Sequence, residues 1–187
     1  MKCKTIPILS TLLTLLILSF TSCDIGSEKA NQKDSSKQFS EIYLAIWATA
    51  AKTTLEVAES MPGNLYSYKP TGVSKTFGQQ LVHIAYTCSF FQQGMIEGNK
   101  VEYSEPNADN MTKEEIVEFM QNTFSIISDK IAEAESSQLE ELITHSSGKV
   151  MTKEHVYYFM HDHLTNHRAK ANLYIRMNGI EPPAYSY

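Results

Sequence analysis

Cysteine is scarce in this chain, with three in 187 residues. Cys3 and Cys23 lie at the extreme N-terminus, so the body keeps only Cys88, and a disulfide within that body is excluded. Cys88 sits in an apolar helical run and reads as a small buried hydrophobe rather than a nucleophile. Basic side chains are also in deficit, 16 against 21 acids, for a formal net charge of −5. That balance excludes nucleic acid as a partner, because phosphate binding needs a basic surface. The chain contains no phosphate loop, nucleotide fingerprint or Ser-His-Asp pattern. No run of alternating apolar and polar residues makes a convincing strand, and there is no internal repeat.

What is present begins with an apolar run, Ile6 to Phe20, behind Lys2 and Lys4. It is short for a spanning helix and small residues follow it, which is the layout of a secretory signal. Phe20-Thr21-Ser22-Cys23 resembles a bacterial lipobox, with Phe20 where such boxes usually carry Leu, Val or Ile. Cleavage there would leave Cys23 to be lipidated; a plain secreted protein cleaved nearby is the alternative. The expected organisation is a lipoprotein-type signal over 1–22, a flexible tether over 23–37 and a folded body over 38–187. The stretch after Cys23 is polar, with almost nothing to bury. The expected location is the cell envelope, with the membrane reached through the lipid anchor only.

Four helical patterns follow. The first covers about Gln38 to Met61, with Phe39, Ile42, Tyr43, Ile46, Trp47, Ala50, Val57 and Met61 at helical spacing, and Pro62-Gly63 stops it. Tyr66 and Tyr68 in the next loop are placed to cover a core end. The second runs from about Ser74 to Glu97 on a stripe of Phe77, Leu81, Ile84, Cys88, Phe91 and Met95. Thr112 to Glu115 has the pattern of a capping box and opens the third, about Thr112 to Ser136, whose inner face is Ile116, Phe119, Met120, Thr123, Ile127 and Ile131. Leu139 to Val150 reads as irregular, with a turn at Ser146-Ser147-Gly148. The fourth begins at Thr152 and ends at Asn178-Gly179, before Pro182-Pro183. The expected fold class is all-α, a four-helix bundle.

The last helix carries His161, His163 and His167. At about 100° per residue, His163 and His167 are neighbours one turn apart, while His161 points nearly the opposite way. Val156, Met160, His163, His167, Ala171 and Tyr174 share one stripe, so two imidazoles interrupt a core face. Buried imidazoles need partners, and a divalent metal would satisfy both; solvated or core-satisfied histidines are the other reading. His145 in a loop and His155 in a first turn read as surface residues. His83 lies mid-helix, in a polar lane with Gln80 and Thr87 beside the core stripe, and those two could line a pocket or bond a ligand. Three imidazoles from two helices, with a fourth position open, would make a catalytic rather than a structural zinc site.

FGQQLVHIAYT in the middle of the chain and HDHLTNHRAKANLYIRMNGIEPPAY at its end resemble the DinB family of four-helix metalloproteins. His83, His163, His167, Arg168, Tyr174, Arg176, Gly179, Pro182, Pro183 and Tyr185 match its pattern, from about residue 38 onwards. Ala169-Lys170 departs from it, since relatives often carry Gly-Gln there. The resemblance implies a divalent metal, zinc or nickel, held by His83, His163 and His167 in a bundle cleft, with a small-molecule substrate and room for a homodimer. Imidazole donors alone do not choose between the metals.

An open position on such a metal can activate water or present a thiolate, and the residues fit both. The reading is therefore a metal-dependent enzyme, hydrolase-type first. A thiol-dependent S-transferase or a non-catalytic binding bundle are the alternatives. Low-molecular-weight thiols are mainly cytosolic, which favours hydrolysis for an exported chain. No general base stands out; Asp162 and Asn166 lie about 100° off the ligand face.

Overall fold

The computed structural model describes residues 25–184, with side chains from residue 38 onwards except that of Ser136. The expected signal over 1–22, the lipidation site Cys23 and Tyr185 lie outside the described residues. Five α-helices occur among those described: α1 (Ile25–Ser60), α2 (Phe77–Phe91), α3 (Lys113–Ala132), the short α4 (Ser136–Leu139) and α5 (Lys153–Met177). The strands β1 (Leu142–Thr144) and β2 (Val150–Thr152) pair antiparallel, with Ile143 opposite Met151. α2 packs against α5 and α3, and α1 packs against α3 and α5, so the four long helices enclose one core.

Helix ends follow local chemistry. The Thr112 side chain caps α3 by accepting from the Glu115 N–H, while Glu115 accepts from the Thr112 N–H, as the sequence pattern implies. α2 starts three residues later than the pattern suggested because Thr76 and Gln79 form a second such box. It passes into a π-helical turn, Gln92–Ile96, which explains why the apolar period weakens towards Met95. α5 is capped by Thr152 and ends at Asn178, with Gly179 at φ 72° supplying the left-handed residue beyond it.

Four differences from the sequence expectation have physical causes. α1 extends through most of the stretch expected to be a tether; Glu28, Lys29, Ala30, Gln32 and Lys33 are good helix formers, and lack of apolar residues does not forbid helix. Ile42 and Ile46 are exposed, because Tyr43, Trp47, Ala50, Thr54 and Val57 already occupy the inward face. The third helical pattern is broken between Ala132 and Ser136, and its end is the separate α4. The hairpin replaces part of the stretch read as irregular. Its strands are three residues each with no residue fully buried, too short and too wet to leave an alternating pattern. Its turn does fall at Ser146 and Ser147, with Gly148 at φ 82°.

The core is otherwise the one the stripes define. Trp47, Phe77, Leu81, Ile84, Cys88, Met120, Ile131, Met160 and Ala171 have no accessible surface. Tyr66 closes one end, donating from its hydroxyl to the Ala58 carbonyl at 2.7 Å, and Tyr68 sets its ring edge-on to Tyr174. Burial pushes the Cys88 thiol far up, as expected of a hydrophobe rather than a nucleophile. Among the described residues no helix is long and apolar enough to cross a membrane.

Candidate metal centre

His83 projects from α2, and His163 and His167 from successive turns of α5, across the interface those helices share. The three residues can each offer a ligand atom with all three within 4.8 Å of one another. Ring centroids lie 4.5 Å apart for His83 and His167, 4.6 Å for His163 and His167, and 5.3 Å for His83 and His163. Of the described residues, these alone form such a group.

The outer nitrogens of two rings are engaged. His83 Nδ1 lies 2.8 Å from Glu105 Oε2, and an ionised carboxylate can only accept, so Nδ1 carries the proton and Nε2 keeps its lone pair. His167 Nδ1 lies 2.7 Å from the Gln80 carbonyl oxygen, with the same consequence. Gln80 is itself buried, and its amide donates to the Tyr174 hydroxyl at 3.4 Å. His163 differs: its Nε2 is buried with no hydrogen-bond partner. Leaving such an atom unpaired costs roughly 1–3 kcal/mol. Three imidazoles with free Nε2 atoms, one of them orphaned, suit a divalent metal that would take a lone pair from each.

Charge points the same way. Burial, then the neighbouring His83 and Lys170, push His163 down to about 4. Burial, then His163, His83 and two lysines, push His167 down to about 3. Both are therefore neutral near pH 7, the form that can coordinate. Burial disfavours the Glu105 charge, but the hydrogen bonds from His83 and Tyr103 and the nearby Lys75 outweigh it and hold the carboxyl below its usual range.

The other candidates sort clearly. Gln80 reaches the cluster, whereas the Thr87 hydroxyl donates back to the His83 carbonyl at 2.6 Å within its own helix. His161 is half-buried outside the group, held below the usual imidazole range by burial and then by Arg168. His155 is exposed, and His145 bonds Ser147 in the hairpin turn. Asp162 and Asn166 are exposed. Arg168 donates to the Ala50 carbonyl and the Thr53 hydroxyl, tying α5 to α1. Glu105 was not legible in the sequence: it comes from the loop between α2 and α3, where no periodicity aims a side chain. A cleft of about 550 Å³ opens alongside, between Phe90, Phe91, Met95, Lys100, Val101 and His145. Phe91 also packs edge-on against His163, with ring centroids 5.4 Å apart.

Fold and site together define a mostly helical protein with a three-imidazole cluster between two of its long helices. A family model described as the DinB superfamily matches residues 46–171, two thirds of the chain. The chain belongs to that superfamily. Solved structures give the same fold. A DinB-like protein from Bacillus subtilis is 21% identical with a TM-score of 0.64, over 77% of this chain and 96% of that one. A DinB-like protein from Bacillus cereus ATCC 10987 is 17% identical with a TM-score of 0.66, over 78% and 97%. A crystal structure from Exiguobacterium sibiricum 255-15, described as a possible DinB family member, is 13% identical with a TM-score of 0.53, over 77% and 92%. No curated protein matches the sequence.

Proposed function

We propose that this protein is an envelope-anchored, DinB-type four-helix bundle in which His83, His163 and His167 hold a divalent metal, zinc or nickel, for hydrolysis of a small-molecule substrate. The observation that carries the reading is the buried, unpartnered Nε2 of His163 beside two imidazoles whose Nδ1 atoms are already bonded. When bound, the metal supplies Lewis acidity at an exchangeable fourth position. The chain's own residues do the rest. Glu105 and Gln80 hold the tautomers of His83 and His167, and Phe91 and Phe159 cover His163 on its apolar side. The adjoining cleft is large enough for the non-reacting part of a small substrate. Anchoring rests on Phe20-Thr21-Ser22-Cys23 behind the apolar leader.

The same site would serve a thiol-dependent transferase, which the expected compartment disfavours, or a non-catalytic metal-binding bundle. Metal analysis of purified wild type, His83→Ala and His167→Ala, followed by a panel of ester, amide and thiol substrates, separates them. The proposal expects about one metal per chain in the wild type, loss of metal in both variants, and metal-dependent hydrolysis. A wild type without stoichiometric metal would end both the enzymatic and the binding reading. Mass spectrometry of the mature N-terminus tests lipid on Cys23.

A further inference from the structure

We propose that Glu105 is a positioning residue for the three-histidine centre: from the loop between α2 and α3 it fixes the tautomer and aim of His83 and strengthens that ring as a metal donor. The inference rests on the metal-binding reading above. Two of the imidazoles are held from behind by different groups. The Nδ1 of His83 faces a carboxylate, and that of His167 a neutral amide. A carboxylate behind a ligating histidine makes the ring a stronger donor, and removing such a partner typically costs 10–100-fold in metal affinity.

The His83–Glu105 contact is built rather than incidental. Both side chains are largely shielded, at 14% and 16% exposure, so water competes weakly for the bond. Glu105 also accepts from the Tyr103 hydroxyl at 2.5 Å and from Lys75 at 3.3 Å, which fixes its rotamer from two further directions. The loop is docked on α2 as well. The Ser104 N–H donates to the Tyr86 hydroxyl, and the Tyr103 ring packs edge-on against Tyr86 at 4.9 Å and Phe90 at 5.3 Å. Glu105 is outside the group of residues whose ligand atoms converge, so it acts through His83 and not as a fourth ligand. Linkage then makes loop docking and metal affinity reciprocal: what the docked loop adds to metal binding, bound metal adds to docking.

The test uses purified wild type, Glu105→Ala and Glu105→Gln. Zinc affinity is read by competition with a chromophoric chelator, and ligand geometry by the visible spectrum of the cobalt-substituted protein. Glu105→Ala is expected to weaken zinc about 10–100-fold. Glu105→Gln, which keeps an acceptor oxygen but loses the charge, is expected to weaken it less. The cobalt band should move in both, a shift that a loss of fold stability alone would not produce. If Glu105→Ala fails to fold, Glu105→Gln decides alone. Zinc affinity within twofold of wild type and an unmoved cobalt spectrum would overturn the positioning role. A wild type that binds zinc while both variants behave identically to it overturns this inference only; a wild type that binds none overturns the metal reading as well.

Discussion

Between α1 and α3, Trp47 sets its indole edge-on to Phe124 at 5.5 Å and donates its N–H to the Phe124 carbonyl at 3.2 Å, beside the buried Ile127. Between α2 and α5, three half-buried imidazoles face one another, and the Nε2 of His163 has no partner. The first interface buries apolar surface and satisfies the indole donor buried within it. The second holds polar groups that are not satisfied by the protein alone. Stability and chemistry are thus segregated to opposite sides of one core, and substitutions on the two sides should have opposite signatures.

The largest expected effect is on the α1–α3 side. Trp47→Ala should lower unfolding free energy by about 3–5 kcal/mol, read by urea denaturation, without removing any imidazole from the cluster. On the α2–α5 side, zinc at a hundredfold excess over its Kd should raise stability by about 2.7 kcal/mol, and this gain should vanish in His167→Ala. His163→Leu removes the orphaned Nε2, so the metal-free protein should be as stable as wild type or more so, by about 1 kcal/mol, while zinc no longer binds. A clear loss of stability in His163→Leu would mean that this side is built for folding after all.

Acid gives the mildest probe. His163 and His167 are held at about 4 and 3 in the folded chain, below the ordinary 6.5. As pH falls below about 6.5 the unfolded chain takes up protons that the folded one refuses. The metal-free protein should therefore lose stability between about pH 6.5 and 3, most steeply above about 4 where both groups contribute, and level off below. Above pH 6.5 these two groups give no pH dependence. His163→Leu should flatten part of that slope.

How much of this was legible in the sequence differs between helix and loop. The stripes of α2, α3 and α5 and the caps at Thr112 and Thr152 follow from periodicity and short-range hydrogen bonding, which a sequence records directly. The pairing of His163 with His167, and the exclusion of His161, follow from helical geometry alone. His83 was reachable because it too sits on a regular helix. Ile42 and Ile46 misled because an amphipathic stripe wider than the buried face leaves its edge in water. Glu105 was invisible for a different reason. A loop side chain acquires its direction from tertiary docking, here through Tyr86, Tyr103 and Lys75, and no local spacing encodes that.

The central claim is that three imidazoles share one metal. X-ray absorption on the zinc-loaded protein tests it directly. The account predicts a first shell with three imidazole nitrogens at about 2.0–2.1 Å, reduced to two in His83→Ala if metal is retained at all. A wild-type shell made of oxygen ligands alone, or a shell unchanged by His83→Ala, would contradict it.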